Sequence, residues 1–284
     1  MANPTAKTFL ITGVSSGFGK AFAIAALQAG HKVIGTVRND AAKQAFEKLG
    51  GHATALILDV TDFDNIPPAI TALHQTAGPI DVLVNNAGYG HEGILEESPL
   101  SDLIAQFNVN VFGAVAMIKA VLPTMRQRKS GHIINITSMG GFITMPGISY
   151  YCGSKFALEG ISETLAREVA HLGIHVTAIA PGSFRTDWAG RSMVRTERSI
   201  DDYNTLFDPI RDARTAKNGQ QAGDPAKAAQ VLLDIINHET PPAHLLLGAD
   251  AVVLVRDKMA SLADEITRWE DVSRSTAFAD TPSA

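Results

Sequence analysis

Cysteine is almost absent from this sequence of 284 residues: Cys152 is the only one, so no disulfide can form within the chain. A reducing, cytoplasmic environment is therefore expected. Basic residues are not in excess either, because 24 Lys and Arg stand against 29 Asp and Glu, for a formal net charge of −5. Proteins that wrap nucleic acid or bind anionic membranes usually carry a basic excess, so neither partner is expected.

Three further patterns are missing. No apolar run approaches the roughly 20 residues that a membrane-spanning helix needs, so no span is expected. Residues 1–7 lack the basic flank and apolar stretch that are typical of a signal peptide. The histidines show no metal-binding spacing such as HExxH, and no metal site is expected. With 45% hydrophobic and 19% charged residues, the composition is that of an ordinary globular protein.

What the sequence does contain is an alternation of short, β-rich apolar runs with longer helical segments. One helix is expected to end at Ala29, and another to follow Ser98 as its cap, with Pro99 at its first position. Strands that are apolar almost throughout indicate a parallel sheet covered on both faces. We therefore predict an α/β, Rossmann-type, doubly wound sheet of seven mostly parallel strands, with ligands bound beyond their carboxyl ends. The predicted strands are residues 7–12, 32–37, 54–58, 81–84, 132–137, 174–180 and 243–247.

Two regions depart from this alternation, although we expect one dinucleotide-binding and catalytic domain over residues 1–284. Residues 185–223 mix charges with large apolar side chains, which favours a mobile substrate lid. Residues 249–284 are an expected C-terminal helical extension, helical over 250–271 and loose over 276–284. Its apolar stripe has to be buried, either on its own subunit near the lid or on a neighbour. The stripe consists of Val252, Val255, Met259, Leu262 and Ile266.

A glycine-rich loop, TGVSSGFG, directly follows the first predicted strand. Glycines there let the backbone approach a pyrophosphate, and the helix that follows points free N–H groups and its positive dipole end at the phosphate. Such a loop also fits a tight strand–helix turn, but its place between first strand and first helix favours dinucleotide binding. The expected cofactor-binding residues are Thr12, Gly13, Ser15, Ser16, Gly17, Phe18 and Gly19.

The spacing TGxxxGxG resembles the cofactor loop of the short-chain dehydrogenase/reductase family, and further motifs follow in that family's order. NNAG stands at 85–88, NVFG at 110–113, and ITS at 136–138 ends the fifth strand. YCGSK at 151–155 matches YxxxK, and PGSFRT at 181–186 matches PGxxxT. An Asp-Val pair at 59–60 resembles the pair that flanks the adenine. These motifs cover about residues 7–187, so the chain is identified as a member of the single-domain branch of this family.

The resemblance implies an oxidoreductase that transfers a hydride between a nicotinamide cofactor and a carbinol or carbonyl carbon. It assigns catalysis to four residues, Ser138, Asn110, Tyr151 and Lys155. Asn110 would hold a water that passes protons on to Lys155. Further cofactor contacts are implied for Asp59, Val60, Asn86, Ala87, Gly88, Pro181, Gly182 and Thr186, in addition to Tyr151 and Lys155.

The chemistry of a tyrosine–lysine pair supports this assignment. Free tyrosine has a pKa of about 10, too high for a base at neutral pH unless a nearby cation stabilises the phenolate. Tyr151 and Lys155 are four residues apart on a predicted helix and share a face, so the ammonium can lower the pKa of Tyr151. Ser138 can hydrogen-bond the substrate oxygen. Tyr150 is turned away from Lys155 and is expected to pack, and Cys152 is expected to be a small buried residue rather than a nucleophile.

The end of the second predicted strand indicates which nicotinamide is bound. An acidic residue there would hold the adenosine ribose 2′-OH and repel a 2′-phosphate. Thr36 takes that position, and Arg38 follows, whose guanidinium can pair with a phosphate through two hydrogen bonds. A solvated loop arginine is the alternative, and Asp40 is close by. We expect NADP(H) rather than NAD(H) as the cofactor.

The side chains expected around the substrate are apolar and partly flexible. The favoured partner is a small hydrophobic ketone, aldehyde or secondary alcohol, handled by an enzyme of the carbonyl reductase or alcohol dehydrogenase type. The expected lining is Tyr89, Met139, Phe142, Met145, Trp188 and Met193.

Three other functions stay open. One is an NAD(H)-dependent dehydrogenase of the same family, and another is a sugar-nucleotide epimerase or dehydratase, which the lack of a sizeable second domain disfavours. The third is a non-catalytic redox sensor that binds NADP(H), although such sensors often lose the tyrosine or the lysine. For assembly we expect a homodimer rather than a tetramer, because an extension packed on its own subunit would cover the edge of the last strand.

Overall fold

The computed structural model describes residues 6–278, and a parallel sheet of seven strands forms its centre. The strands are β1 (Thr8–Ile11), β2 (Lys32–Val37), β3 (Ala53–Ile57), β4 (Val82–Asn85), β6 (Gly131–Ile136), β7 (Ile174–Pro181) and β9 (His244–Leu247), with β5 (Gly90–Glu92) and β8 (Met193–Arg195) in a separate pair. The order across the sheet is β3-β2-β1-β4-β6-β7-β9, which reverses direction between β1 and β4. The doubly wound α/β fold predicted from the sequence is therefore confirmed, because this is the order that opens a ligand crevice at the reversal.

Helices cover both faces of the sheet, as the unbroken apolar strands require. They are α1 (Gly17–Gln28), α2 (Asp40–Glu47), α3 (Ile66–Ala77), α4 (Leu100–Phe107), α5 (Ala114–Arg128), α6 (Ser149–Val169), α7 (Asn204–Ala216), α8 (Pro225–Ile235) and α9 (Ala249–Arg274). Side chains of a strand alternate between the faces, so Phe9 packs with Phe22 of α1 in one core while Leu10 packs with Met117 of α5 in the other.

The start of α4 differs from the expected cap. The helix begins at Leu100 with Pro99 in the cap position, and the Ser98 hydroxyl donates instead to the carbonyl of Ile94 at 2.8 Å. Among the described residues, one helical stretch, Leu100–Arg128, is long and apolar enough for a membrane span by length and mean composition, although polar residues such as Asn108, Asn110 and Lys119 interrupt it. Met117 and Met125 from this stretch are fully buried in the protein core, which accounts for its apolar character.

The segment 185–223, called the lid below, contains more regular structure than its sequence suggested. It includes β8, α7 and two short 3₁₀ turns, and β8 pairs in parallel with β5, Gly90 opposite Met193. The buried carboxylate of Glu92 on β5 holds it, because it contacts the guanidinium groups of Arg195, at 3.0 Å, and of Arg214. These ion pairs fasten the lid in the described arrangement, and its mobility stays a prediction.

The C-terminal helix α9 leaves the body of the protein after its second turn. Val255 is buried and Val252 partly buried, but every described residue from Met259 to Phe278 is exposed. Of the two packings expected for the apolar stripe, burial on its own subunit near the lid is therefore not observed beyond Val255. Residues 276–278 lie past the end of the helix, and the rest of the expected loose tail lies outside the described residues.

Candidate active site

The loop between β1 and α1 has the backbone geometry that a bound pyrophosphate needs. Gly13 and Gly17 adopt φ angles of +72° and +53°, in the left-handed region that favours glycine. A Cβ on Gly19 would lie 2.3 Å from the carbonyl oxygen of Gly13, so the loop and helix pack too closely for any larger residue. Ser16 precedes α1 but its side chain makes no capping hydrogen bond. The N–H groups of the first helical turn remain free, which fits an anionic phosphate.

Two polar side chains brace this loop against the end of β4. The Thr12 hydroxyl accepts hydrogen bonds from the backbone N–H groups of Asn86 and Ala87, both at 2.9 Å. The Asn86 amide donates to the carbonyls of Thr12 and Gly13, at 2.9 and 3.1 Å. In the described structure both side chains therefore shape the loop, and a direct contact of Asn86 with the ribose stays a prediction.

A cleft of about 590 Å³ opens at the carboxyl ends of the strands, where the sheet order reverses. Most residues expected at the cofactor line it: Gly13, Ser15, Ser16, Gly17, Phe18, Arg38, Asp59, Val60, Asn86, Ala87, Gly88, Tyr151, Lys155 and Thr186. Thr12, Gly19, Asn110, Ser138, Pro181 and Gly182 are not among the lining residues. Most of the motifs that are scattered along the sequence thus converge on one elongated cavity large enough for a dinucleotide.

One end of the cleft carries a hydroxyl and a cation where an acid would select against a 2′-phosphate. The buried Thr36 hydroxyl accepts from the backbone N–H of Gly13 at 3.0 Å, and the exposed Arg38 follows two residues later. Burial would raise the pKa of Asp59 across the cleft, but hydrogen bonds from Thr61 and the charge of Arg38 outweigh it and hold that pKa below its usual range. Arg38 thus places a positive charge at the end of the cleft that is expected to hold the adenosine.

Tyr151 and Lys155 lie on one face of α6, at the other end of the cleft. The lysine Nζ is 5.7 Å from the centre of the tyrosine ring and donates to the backbone carbonyl of Ile136 at 2.8 Å. Ser138, two residues after the end of β6, lies beside Tyr151 and accepts a hydrogen bond from the backbone N–H of Gly140 at 3.0 Å. Serine, tyrosine and lysine thus meet within one buried cluster.

Burial governs the protonation of this cluster. Burial raises the pKa of Tyr151 above its usual value, more than the neighbouring Ser138 hydroxyl lowers it, so at neutral pH the residue is a phenol that can donate a proton. Burial likewise lowers the pKa of Lys155 to about 8, although the carboxylate of Glu159 one turn along the helix opposes this. At neutral pH Lys155 is therefore predominantly an ammonium held next to a phenol.

Asn110 lies behind the cluster in a π-helical turn, Asn108–Gly113, that joins α4 to α5. Its amide donates to the Tyr89 carbonyl at 3.1 Å and to the Ser154 hydroxyl at 3.0 Å, and its Oδ1 accepts from the Tyr89 N–H at 3.1 Å. These bonds engage both donors and the acceptor of the side chain. Asn110 therefore ties the Tyr89 loop to α6, and its expected role in a water relay stays a prediction.

The lid supplies the wall that faces Tyr151. The indole of Trp188 lies 5.0 Å from the Tyr151 ring, centre to centre, and both Trp188 and Met145 pack against the buried group formed by Ile148, Tyr151 and Cys152. Of the other expected lining residues, Tyr89 borders the cleft, whereas Met193 is buried behind Gly90 and Phe142 turns its edge to His244. Tyr150 donates from its hydroxyl to the Ser98 carbonyl at 2.9 Å, a packing role.

Several lining residues were missed from the sequence. Val37, Leu58 and Thr61 border the adenosine end, and Val109, Asp187, Arg191, Ser192 and Val194 border the other. Each of the three residues at the adenosine end is next to a motif residue that follows a strand, so the sequence did contain a signal for them. The lid residues carry no motif, and only the tertiary pairing of β8 with β5 brings them to the cleft.

Sequence comparison finds close relatives over the whole chain. The family model for short chain dehydrogenases matches residues 7–196. Oxidoreductase BOA17 of Botryotinia fuckeliana is 37% identical, covering 95% of this chain and 99% of the relative. The 3-ketodihydrosphingosine reductase of Bacteroides thetaiotaomicron is 36% identical, covering 92% of this chain and 94% of the relative.

Solved structures agree. A short-chain dehydrogenase from Streptomyces avermitilis superposes with a TM-score of 0.90 at 40% identity, covering 96% of this chain and 99% of the other. The structure of ElxO with NADP bound has a TM-score of 0.71 at 27% identity, covering 85% of this chain and 96% of the other. With the motif order, the sheet topology and the cleft in agreement, the chain belongs to the short-chain dehydrogenase/reductase family of oxidoreductases.

Proposed function

We propose that the protein transfers a hydride between NADP(H) and a hydrophobic ketone, aldehyde or secondary alcohol. The observation that carries this proposal is that Tyr151 and Lys155, with Ser138 beside them, line one end of a cleft that also contains the glycine loop. The nicotinamide, when bound, supplies or accepts the hydride. A non-catalytic sensor would have no use for a buried phenol beside a buried ammonium, an arrangement that is costly to fold.

The protein's own part in the reaction is proton transfer at the substrate oxygen. In the reductive direction the Tyr151 phenol donates its proton as negative charge develops on that oxygen, and the Ser138 hydroxyl holds the oxygen in place. The Lys155 ammonium stabilises the phenolate that remains. Because Lys155 loses its proton as pH rises through about 8, kcat/KM for reduction should fall over the same range.

NADP(H) is the proposed cofactor because of Arg38. Its guanidinium lies at the adenosine end, and the position where an acid would hold a ribose 2′-OH is occupied by the buried hydroxyl of Thr36. The NADP-bound relative supports this choice. An NAD(H)-dependent enzyme is the alternative, and the carboxylate of Asp59 near Arg38 is the feature that favours it.

The proposed substrate class follows from the wall of the cleft. Tyr89, Val109, Trp188 and Val194 present apolar surface beside Tyr151. A hydrophobic carbonyl compound buries against such a wall more favourably than a polyol does. The name of one relative, 3-ketodihydrosphingosine reductase, denotes the reduction of a ketone, which supports the same class.

We further propose the organisation in which this reaction takes place. Residues 1–284 act as one catalytic domain in the cytoplasm, with the lid over the substrate and residues 249–284 as a C-terminal extension. The burial of the single thiol, Cys152 on α6, in a group against which Met145 and Trp188 pack supports its part as packing. Assembly into a homodimer is part of the same proposal.

The test is a panel of ketones, aldehydes and alcohols with NADPH, NADP⁺, NADH and NAD⁺, followed at the nicotinamide absorbance. Tyr151→Phe should remove nearly all turnover, by about 10²- to 10⁴-fold, and leave cofactor affinity close to normal. Tyr150→Phe is the matched control, because it deletes the neighbouring buried hydroxyl, which bonds only the Ser98 carbonyl. Equal losses in both variants would contradict the catalytic assignment of Tyr151.

Cofactor choice is tested separately. Arg38→Asp should weaken NADPH binding at least tenfold and NADH binding little, because the reversed charge acts on the 2′-phosphate alone. Lys48→Asp, an equal charge change at the exposed end of α2, is the control. A wild type that already prefers NADH, or an Arg38→Asp variant that loses both cofactors equally, would contradict the proposal.

A further inference from the structure

An apolar seam runs along the exposed part of α9. Met259, Leu262, Ile266 and Trp269 follow one another at steps of three, four and three residues and are 46, 39, 61 and 54% exposed. The same spacing continues back to Val252 and Val255. Alternating steps of three and four place side chains at the a and d positions of a heptad, the pattern by which two helices pack together.

The body of the protein uses only the first part of this seam. Ala251 and Val255 are buried, whereas residues 259–278 are all exposed. At 1.5 Å per residue, the exposed part of the helix from residue 256 to 274 is about 28 Å long. Two heptads of seam are thus left open, and such a surface on a stable helix is unfavourable in water.

The charge of α9 argues against a membrane as the surface that covers the seam. The helix carries six acidic residues, Asp250, Asp257, Asp264, Glu265, Glu270 and Asp271, against four basic ones, Arg256, Lys258, Arg268 and Arg274. Helices that lie on anionic membranes have basic polar faces, so this one would be repelled.

We propose that the seam is covered by α9 of a second copy of this chain, with the two helices antiparallel. Met259 then packs against the second copy's Trp269, and Leu262 against its Ile266. The two-fold axis repeats both layers, so four layers of apolar side chains close the seam. The large indole opposite the flexible methionine fills each outer layer.

Charges beside the seam select the antiparallel direction. With Val252 at position a, Arg256 and Glu270 occupy e positions, and antiparallel pairing sets each Arg256 beside the second copy's Glu270, giving two attractive pairs. Glu265 meets its own symmetry mate near the axis, one repulsive pair. Parallel pairing would instead place Glu265 beside the second copy's Glu270 twice, with no attractive pair in return.

The proposal does not depend on the catalytic function and is tested by mass in solution. Light scattering is expected to give half the wild-type mass for Leu262→Glu/Ile266→Glu. The control Ala260→Glu/Thr267→Glu adds the same charge on the opposite, exposed face of α9 and should keep the wild-type mass. Circular dichroism and cofactor binding by both variants show that the body remains folded. A wild-type mass for the seam variant, or a monomeric wild type, would overturn the proposal.

Cysteine cross-linking tests the direction of pairing, since the one native thiol, Cys152, is buried. Met259→Cys/Trp269→Cys should form a disulfide-linked dimer on mild oxidation, and Met259→Cys alone should not. Linkage through Met259→Cys alone would show parallel helices. Linkage in neither variant, with the mass still halved by the seam variant, would show that α9 packs on the body of the second copy, and either result would overturn the antiparallel pairing.

Discussion

Replacing Lys155 by methionine should abolish turnover and yet stabilise the protein in the absence of cofactor. The lysine is buried in the cluster beside Tyr151, and its ammonium has one backbone acceptor, the carbonyl of Ile136 at 2.8 Å. Methionine has a similar length and no charge, so it can fill the same space. The variant therefore separates the catalytic use of the charge from its cost to folding.

The magnitude follows from the pKa of Lys155. Burial lowers it from 10.5 to about 8, and each pH unit of that difference corresponds to about 1.4 kcal/mol, so a buried ammonium costs about 3 kcal/mol. Loss of the hydrogen bond to the Ile136 carbonyl destabilises the variant by about 1 kcal/mol and offsets part of that gain. The net expectation is a gain of about 2 kcal/mol for Lys155→Met at neutral pH.

The effect of the buried lysine on the free energy of unfolding changes with pH in a defined direction. A lysine whose pKa is lower in the folded than in the unfolded state carries its full cost below pH 8, and the cost disappears as pH rises from 8 towards 10.5. The wild type should gain stability over that range while Lys155→Met does not.

Urea unfolding of both proteins without cofactor, at pH 7 and pH 10, measures this, with Lys48→Met on the surface as the control. The reasoning would be refuted by a variant that is less stable than the wild type at pH 7. It would also be refuted by a difference in the free energy of unfolding that persists at pH 10.

Three further outcomes are expected. Gly19→Ala should abolish cofactor binding in a fluorescence titration, because its Cβ would lie 2.3 Å from the Gly13 carbonyl oxygen; normal affinity would mean that the loop relaxes. Gly160→Ala, on an exposed turn of α6 with open space around its Cβ, should raise the free energy of unfolding by about 1 kcal/mol, and a loss would contradict the helix propensity argument. Glu92→Gln should lower that free energy by about 3 kcal/mol, because Arg214 and Arg195 lose a buried carboxylate; an unchanged urea midpoint would show that the lid is held by other contacts.

The sheet was predictable because its strands are local signals. Each buried strand is a short apolar run with a helix on either side, and all seven were predicted to within a residue or two. Sequence signals for the ends of helices were less reliable. Ser98 was expected to cap α4, but its hydroxyl found the Ile94 carbonyl one turn back, a competition that the sequence does not decide.

Tertiary structure decides the parts of the site that the sequence left unresolved. The spacing of Tyr151 and Lys155 predicts a shared face, but only the packed structure shows the Ile136 carbonyl as the lysine's acceptor. Asn110 was placed in the site by its motif, while its bonds to Tyr89 and Ser154 come from two distant segments. The periodicity of α9 was visible in the sequence, whereas the point at which the helix leaves the body depends on where β9 ends.

The small β5–β8 sheet determines the order in which the protein can become active. Its ion pair between Glu92 and Arg195 joins residues 103 positions apart, whereas the hydrogen bonds that brace the glycine loop against the end of β4 join residues 73 to 75 positions apart. Turnover needs both sets of contacts, whereas the phosphate loop needs only the second. On dilution from denaturant, turnover should therefore return no earlier than cofactor binding, and a nascent chain will contain the residues of its glycine loop before those of its substrate wall.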